Sequence, residues 1–344
     1  MRVRADDPHR PWHEPGVYTP APGVHRIPLP LPGDALRAVN VYAVELADGV
    51  LLVDAGQVFS GAEEQLEQAL GALGRGLSDV RQVLVTHVHR DHYTLAVGLR
   101  RRTGVPVALG EGAKKSLSVA NTDAFALAPQ VAALHRCGAD AIIAAIAGTS
   151  GRDGMPVDIW EEPDTWLADG ATVPAGERTL TAVATPGHTA GHLVFHDAAS
   201  ALLFAGDHVL PHITPSIGFE AVPVPHPLRD YLGSLRRVRA LPDAMLLPAH
   251  GSVVPRAHAR IDELLAHHDT RLADTFAAVR AGRETAYAAA GGLTWTRRGR
   301  RLEELDPFNQ MLAVLETAAH LDVLVLQGEL VVEERDGVAG YGAA

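Results

Sequence analysis

Four apolar segments of strand length each lead directly into a histidine or an aspartate. They read VRQVLVTH, ending at His87; LTAVATPGH, ending at His188; ALLFAGD, ending at Asp207; and AMLLPAH, ending at His250. Short apolar runs of this kind are typical of buried strands, and the helical patterns between them favour an α/β layered domain. Loops at the ends of such strands gather along one rim of a sheet, so we expect these four side chains to converge on one site.

The first of these loops is the richest, because HVHRDH places three histidines and an aspartate in six positions. Imidazoles and carboxylates together suit zinc, iron or manganese, and a carboxylate can bridge two ions about 3.5–4 Å apart. The predicted ligands form two sets and a bridge: His87, His89 and His188; Asp91, His92 and His250; and Asp207 between them. The competing interpretation is that these are ordinary surface or core residues, since the chain has 18 histidines. The spacing within the motif and the ligand types after later apolar runs favour the metal site.

Turn and capping signals divide the rest of the chain. Asp48-Gly49 predicts a hairpin between VNVYAVEL and GVLLVDAG, and a capping pattern at Ser60 predicts an amphipathic helix over 60–74.

We assign a catalytic domain to residues 1–254, with a helical insertion at about 111–166, and a C-terminal helical domain to residues 255–344. Within the insertion, 128–148 reads as two apolar helical segments and 148–158 as a mobile loop. The two helical segments fit either a lid over an apolar substrate or an element that caps the core or contacts a second copy of the chain.

Composition excludes several classes of protein. A chain of 344 residues, 47% of them hydrophobic, can bury a full core. Its one cysteine, Cys137, excludes a disulfide framework and a cysteine-rich zinc cluster. No apolar run approaches the roughly 20 residues that a membrane span needs, and no export signal is recognisable, so we expect a cytoplasmic protein. The net charge of −11 argues against nucleic acid as a partner.

Five short segments resemble the ordered motifs of the metallo-β-lactamase superfamily: LLVDAG, THVHRDH, TPGHTAGH, GDH and PAHG. The resemblance covers about residues 24–251 and implies an α/β fold of the αββα sandwich type, with a metal site at the sheet edge. It also implies that Asp54 orients the metal-binding side chains without contacting a metal. The ligand positions carry the residue types of the branch with two metals. We therefore expect two Zn²⁺ ions, with iron or manganese as alternatives.

The sequence changes character after residue 251. An apolar helical face over 311–321 is followed by two short strands, so this end resembles a small winged-helix tail, which accompanies a subgroup that includes an endoribonuclease. The predicted hairpin is acidic at Glu329 and Glu333, which favours packing or a homodimer contact over nucleic-acid binding. The basic runs 236–239 and 295–301 are the segments that an RNA contact would use; solvated surface is the alternative.

The metal site and the apolar insertion predict a hydrolase. A hydroxide bridging the two ions, with its pKa lowered towards neutrality, would attack the carbonyl carbon of an ester, thioester or lactone in a small acyl substrate. The catalytic carboxylates would be Asp91, which orients the nucleophile and can protonate the leaving group, and Asp207, which bridges the ions. The alternatives are a metal-dependent endoribonuclease and a non-catalytic metal-binding or interaction protein.

Three further side chains lie near these motifs. His192 could support the ligands from behind or be hydrogen-bonded inside the fold. His208 could face the pocket or pack in the core. Tyr231 could polarise a carbonyl, but its helical context, PLRDYLGSLRRV, favours a structural role.

Overall fold

The computed structural model describes residues 2–120, 128–149 and 159–344. Most of the segment predicted to be mobile, 148–158, and part of the insertion around 111–166 lie outside the described residues. The strands are β1 Val3–Ala5, β2 Val17–Ala21, β3 Val24–Pro30, β4 Ala38–Leu46, β5 Gly49–Val53, β6 Val80–Leu84, β7 Val107–Gly110, β8 Thr165–Leu167, β9 Thr172–Ala175, β10 Arg178–Ala184, β11 Leu193–Asp197, β12 Leu202–Gly206, β13 Met245–Pro248, β14 Leu330–Arg335 and β15 Val338–Ala343. The helices of the described part are α1 Ala62–Ala72, α2 Arg90–Thr103, α3 Lys114–Ala120, α4 Ala128–Arg136, α5 Asp140–Thr149, α6 Pro227–Arg239, α7 Ala257–Arg280, α8 Ala286–Ala290 and α9 Pro307–Leu326.

The first sheet contains strands β1 to β8 in sequence order. Strands β2 to β5 pair antiparallel, whereas β5 to β8 pair parallel and are connected by helices. The predicted hairpin is confirmed, because β4 and β5 pair with Leu46 opposite Gly49. The parallel half places the end of β6, and therefore the HVHRDH loop, at one edge of the sheet.

The second sheet has the order β13-β12-β11-β10-β9 and packs face to face with the first. Its strands are antiparallel except for the parallel pair β12 and β13. An apolar cluster between the sheets contains Leu51 and Leu84 from the first sheet, and Phe195, Phe204 and Leu247 from the second. Two sheets with interdigitating side chains form the centre of the predicted sandwich.

Helices α1 and α2 cover the outer face of the first sheet, where Leu66, Leu70 and Leu95 are buried. The helix predicted over 60–74 is present but begins at Ala62, and the capping pattern at Ser60 does not form. Gly61 occupies the N-cap in the left-handed conformation at φ 92°, with no side-chain hydrogen bond to the first turn. The left-handed backbone at Gly61 therefore sets the start of this helix.

Helices α6, α7 and α9 cover the outer face of the second sheet, so that two helical layers enclose two sheets. One apolar cluster joins Leu203 of the sheet to Leu235 of α6, Leu264 of α7 and Val314 of α9. The αββα sandwich is thereby confirmed, with the C-terminal helices and the β14–β15 hairpin in its outer layer. The predicted domain boundary at residue 254 stays a prediction. Described residues on both sides of this boundary belong to the same apolar cluster.

The two helical segments of the insertion form α4 and α5, and their apolar side chains face this same outer layer. Leu134, Ile142 and Ile146 are buried in the cluster that contains α9. Packing on the core describes these buried side chains, whereas Val131 of α4 is 40% exposed and the lid interpretation stays a prediction. Within the described residues, no helix has both the length and the apolar character needed to cross a lipid bilayer.

Candidate metal centre

Loops at one edge of the two sheets bring the predicted ligands together. The loop after β6 and the first turn of α2 carry four of them, and the loops after β10, β12 and β13 carry one each. The structure places their donor atoms in two neighbouring groups: His87, His89, His188 and Asp207, and Asp91, His92 and His250. The convergence expected from the four apolar segments is present, whereas the role of these residues as metal ligands stays a prediction.

The first group consists of three imidazoles that face one another. The distance from His89 Nδ1 is 3.0 Å to His87 Nε2 and 3.1 Å to His188 Nε2. Asp207 Oδ2 lies 3.6 Å from His188 Nε2 and 4.0 Å from His87 Nε2. The donor atoms lie within 4.8 Å of one another, which is the arrangement of ligands around one ion.

The second group is completed by the other oxygen of the same aspartate. His250 Nε2 lies 3.3 Å from Asp91 Oδ2, and His92 Nε2 lies 3.6 Å from that oxygen. Asp207 Oδ1 lies 3.4 Å from His250 Nε2 and 3.6 Å from His92 Nε2. Asp207 therefore directs one oxygen to each group, which is the geometry of a carboxylate that bridges two cations.

The protein itself selects which ring nitrogen each histidine offers. His250 Nδ1 donates to the Ala38 carbonyl at 2.7 Å, and His188 Nδ1 donates to the Ser216 carbonyl at 2.8 Å. A carbonyl oxygen only accepts, so Nδ1 carries the proton and Nε2 has a free lone pair in the neutral ring. Hydrogen bonds of this kind are the usual support of a histidine that binds metal.

Asp54 supports the second group without reaching its centre. Its Oδ1 accepts the Thr86 backbone N–H at 2.8 Å, and its Oδ2 accepts His92 Nδ1–H at 2.9 Å. The Thr86 hydroxyl lies 3.0 Å from both carboxylate oxygens and 3.1 Å from His87 Nδ1. Donation from Thr86 to Asp54 leaves the threonine oxygen free to accept from His87, so one carboxylate orients two imidazoles. These contacts are consistent with the role that the resemblance implies for Asp54, and that role stays a prediction.

Unpartnered atoms show that the residues fit a cation. His92 Nε2, His250 Nε2 and Asp207 Oδ1 are buried and lack a hydrogen-bond partner within the described residues. Such atoms are costly unless something binds them. In the first group, two Nε2 lone pairs face His89 Nδ1, which has at most one proton to share. Cations in both groups would satisfy all of these atoms, and nitrogen with carboxylate oxygen is a donor set that suits divalent metal ions.

Protonation equilibria agree with this fit. Burial and the neighbouring imidazoles hold the pKa of His87 well below its usual range, and burial and His188 lower the pKa of His89 to about 3. Burial also lowers the pKa of His92, but the nearby carboxylates, Asp54 first, outweigh it and raise that pKa to about 10. His87 and His89 of the first group are thus neutral imidazoles. In the second group, the carboxylates around His92 stabilise a positive charge.

His192 lies behind the ligands. It is 1% exposed, and its Nε2 accepts the Asp207 backbone N–H at 3.1 Å, while Nδ1 lies 2.8 Å from the Thr185 hydroxyl. The two open interpretations are both realised, because the ring is hydrogen-bonded inside the fold and also holds the backbone of Asp207. No pattern in the sequence indicated Thr86 or Thr185 as partners.

His208 and Tyr231 belong to the packing behind the site. His208 is fully buried, and its ring lies 5.3 Å from the ring of Tyr231, edge to face. The Tyr231 hydroxyl donates to the His208 carbonyl at 3.0 Å. A Cβ at Gly187 would lie 2.4 Å from Tyr231 Cβ, and Gly187 has φ +136°, so only glycine fits there. Tyr231 thus supports the TPGH loop from α6.

A rim that sequence reasoning missed borders both groups. The loop over 211–219 places His212 beside Gly251, next to His250, and its Ser216 carbonyl holds His188. Ile213 in this loop is 44% exposed. On the other side, the ring of Trp12 lies 6.5 Å from that of His250. Neither segment contains a motif, so only the folded chain shows that they border the site.

The arrangement of these residues has counterparts in known proteins. The sequence profile of the metallo-beta-lactamase superfamily matches residues 34–250 of the chain. The chain belongs to this superfamily. It is a hydrolase by that membership, with the fold and the clustered histidines and aspartates described above.

Three similar proteins illustrate the relationship. A metallo-beta-lactamase family protein from Thermus thermophilus aligns with a TM-score of 0.76 and 27% identity, over 95% of this chain and 100% of that one. The lactamase-like protein adaB of Aspergillus niger is 28% identical over 75% of this chain and 63% of its own length. An atrochrysone carboxyl ACP thioesterase of Aspergillus fumigatus is 28% identical over 67% of this chain and 42% of its own length. The chain therefore spans less than two thirds of these two fungal relatives.

Proposed function

We propose that this superfamily member is a cytoplasmic hydrolase with two zinc ions that cleaves the carbonyl of an ester, thioester or lactone. The observation that carries the proposal is the position of Asp207, with one carboxylate oxygen in each ligand group. Two divalent ions bound there would lower the pKa of a water molecule between them and polarise a substrate carbonyl. The proposed ligands are His87, His89 and His188 for one ion, Asp91, His92 and His250 for the other, and Asp207 for both.

The residues around the ions would divide the remaining work. The Asp91 carboxylate is ionised, because His92 and His250 outweigh its burial and lower its pKa. In the proposed site Asp91 would orient the attacking water, take the proton that this water loses, and pass that proton to the leaving group. His192 holds the backbone of Asp207, and Asp54 holds the imidazole of His92. The positions of Asp207 and His92 therefore do not depend on the substrate.

An apolar acyl group suits the rim of this site. Ile213 is exposed in the loop whose His212 lies beside Gly251, and the Trp12 ring lies 6.5 Å from that of His250. A small substrate needs only an apolar wall and polar groups that fix its carbonyl. A thioester substrate is also consistent with the similarity to the fungal thioesterase.

RNA cleavage, the alternative within the enzymes, finds little support in the two basic runs, because several of their side chains are already engaged within the protein. Trp295, the aromatic of the basic run 295–301, is buried to 9% exposure and stacks on Arg271 at 4.3 Å. Arg237 and Arg239 of the other run each pair with an aspartate at 2.7–2.8 Å. The complete ligand set argues against a non-catalytic role. A homodimer stays a prediction.

We expect the zinc-loaded protein to hydrolyse a medium-chain acyl thioester, an aliphatic lactone or an activated ester, and to cleave single-stranded RNA poorly. RNA binding would need many phosphate contacts, which a chain of charge −11 does not supply readily. Initial rates at low and physiological salt would measure this.

The blank for these assays is Asp207→Ala, which should fold and have no turnover, and the matched control is Asp169→Ala, whose aspartate pairs with Arg237 on the surface. Metal-dependent RNA cleavage without acyl hydrolysis would reverse the assignment. Full turnover of Asp207→Ala would remove that residue from the centre.

A further inference from the structure

A third group of potential ligands lies apart from the two groups of the candidate metal centre, between α7 and α9. His267, His268 and Glu316 bring two imidazole nitrogens and a carboxylate oxygen within 4.8 Å of one another. The group is reached from solvent, because His267 is exposed and Glu316 is half-buried, while His268 is fully buried. None of these residues belongs to a motif of the catalytic site.

The hydrogen bonds of a fourth residue, His320, determine the tautomer of His268. His320 Nδ1 lies 2.8 Å from the Glu316 backbone carbonyl, which only accepts, so Nδ1 carries the proton. Burial lowers the pKa of His320 to about 4 and that of His268 to about 2, so both rings are neutral. His320 Nε2 is therefore an acceptor, and His268 Nδ1 donates to it at 3.1 Å.

This chain of hydrogen bonds leaves His268 Nε2 with a free lone pair. That atom is buried and has no hydrogen-bond partner among the described residues. A buried acceptor without a donor is unfavourable, and a metal-binding histidine typically donates its other N–H to a protein group, as His268 does. We call the group of His267, His268 and Glu316, in which His268 carries this free lone pair, the cage.

The Glu316 carboxylate lies in surroundings that disfavour its ionised form. Burial outweighs the positive charge of Arg271 and raises the pKa of Glu316 to about 7. Arg271 is itself held by Trp295, 4.3 Å from the ring, and by the Thr294 carbonyl at 3.1 Å. Among the described residues, no side chain donates a hydrogen bond to the Glu316 carboxylate or pairs with it within 4.0 Å. An ion at the cage would hold the carboxylate ionised.

We propose that His267, His268 and Glu316 form a separate zinc site that links α7 to α9. Two imidazoles and one carboxylate are a set of three ligands that zinc accepts, with a solvent molecule in the fourth position. His320 would orient His268, and the Tyr231 ring, 5.5 Å from His268, separates the site from the catalytic loops. The role of the ion is to fix the C-terminal helices on the outer layer.

The test is metal content and thermal stability of the full chain, using ZnCl₂ as the probe. His267→Ala and Glu316→Gln alter accessible positions and should each hold one ion fewer than the parent protein after removal of free metal. They should also lose the part of the Zn²⁺-dependent rise in melting temperature that this site contributes. Rates of acyl hydrolysis should stay within twofold of the parent.

The matched control is His135→Ala, which removes an exposed histidine outside the cage and should leave the ion count unchanged. Crystals grown with zinc should show an anomalous peak between α7 and α9. Equal ion counts in the parent and His267→Ala would overturn the site, as would the absence of that peak. The test compares the number of bound ions in the parent and in the variants. Its outcome is therefore independent of whether the candidate metal centre hydrolyses any acyl substrate.

Discussion

The residues that set histidine tautomers decide which atoms the candidate metal centre can offer to an ion. Three of the predicted ligand histidines donate their Nδ1–H to another group of the protein. His188 donates to the Ser216 carbonyl, His250 to the Ala38 carbonyl and His92 to the Asp54 carboxylate. In its neutral form each of these rings therefore leaves the Nε2 lone pair for a metal. Two of these acceptors are backbone carbonyls, which substitution cannot remove, so Asp54 is the one that mutagenesis can test.

Asp54→Asn should weaken metal binding at the second ligand group by about 10- to 100-fold. The amide oxygen must stay on the Thr86 N–H, now at 2.8 Å from Oδ1, so the amide N–H₂ turns towards His92. His92 would then accept at Nδ1 and carry its proton on Nε2, the atom offered to the metal. Asparagine tolerates the left-handed backbone at position 54, φ 60°, so the backbone itself is preserved.

Competition with a chromogenic chelator measures this zinc affinity. Thr86→Val is a partial control, because it removes the hydroxyl but keeps the backbone N–H and the His92 hydrogen bond. Unchanged zinc affinity in Asp54→Asn would show that Asp54 has no part in orienting the ligand.

At the level of residues, the sequence predicted the clustering of the proposed ligands better than the partners that hold them. His87, Asp207 and His250 follow apolar strands, and strand ends converge, so their proximity could be predicted. Thr185 and Ser216 carry no signal of their own, because one is a common residue and the other acts through its backbone. Such partners depend on the path of loops, which local pattern does not determine.

At the level of elements, close backbone contacts fix the TPGHTAGH loop against the turn after β7. A Cβ at Gly191 would lie 2.3 Å from the Ala113 backbone nitrogen and 2.6 Å from Ala113 Cα. A Cβ at Gly112 would lie 2.5 Å from the Ala190 carbonyl oxygen. The loop that carries His188 therefore rests on backbone, which cannot move aside as a flexible side chain would.

Gly191→Ala should destabilise the fold by about 1–3 kcal/mol, because the added methyl forces the two loops apart. It should also reduce zinc affinity, since His188 moves with its loop. The control is Gly233→Ala in the middle of α6, where an added Cβ meets nothing within 4 Å. That variant should be more stable than the parent by roughly 0.5–1 kcal/mol. Thermal melting of both variants gives the comparison, and equal melting temperatures would show that the two loops adapt freely.

Glu316 should make the α7–α9 interface pH-dependent in the metal-free protein. Its pKa is about 7 in the folded chain against an ordinary 4.5, because it is buried. Between these values the folded chain holds a proton that the unfolded chain releases, so stability falls as the pH rises from about 4.5 to 7. Glu316→Gln cannot release a proton, so this decrease in stability with pH should be absent from the variant. His267, His268 and Arg271 are present in both proteins, so their contributions are common to both.

The measurement is the urea midpoint of both proteins with chelator present, at intervals between pH 4.5 and 7.5. The urea midpoint of Glu316→Gln minus that of the parent should increase as the pH rises through this range. A constant difference between the two midpoints would mean that the carboxyl titrates as it does in water.

Elements were predictable where periodicity is local and were not where packing decides their role. The helix predicted over 60–74 follows from leucine spacing, and its true start at Ala62 follows from the left-handed Gly61. The apolar segments of 128–148 form α4 and α5, but periodicity does not say against what a helical face packs. Their leucine and isoleucine side chains contact the C-terminal layer, which is distant in the sequence.

At the scale of the whole molecule, two apolar surfaces could receive a substrate. The sequence suggested the helical insertion, and the structure adds the 211–219 loop. Val131 of α4 is 40% exposed, and Ile213 of the loop is 44% exposed, so the two side chains offer similar apolar surface to solvent. Only the loop is tied to the ligands, through the Ser216 carbonyl on His188. A pair of substitutions can therefore ask which surface an acyl chain contacts.

Ile213→Ser should raise KM for an octanoyl thioester several-fold more than for the acetyl thioester, whereas Val131→Ser should change neither. The reason is that burying each methylene against an apolar wall is worth about 0.8 kcal/mol, and a long chain has more methylenes to bury. The kcat of both variants should stay near that of the parent, because neither side chain touches the predicted ligands. Steady-state kinetics over a series of acyl lengths measures the slope of log KM against chain length. A slope altered by Val131→Ser and not by Ile213→Ser would return the substrate wall to the insertion, and an equal slope in all three proteins would place the acyl chain on neither surface.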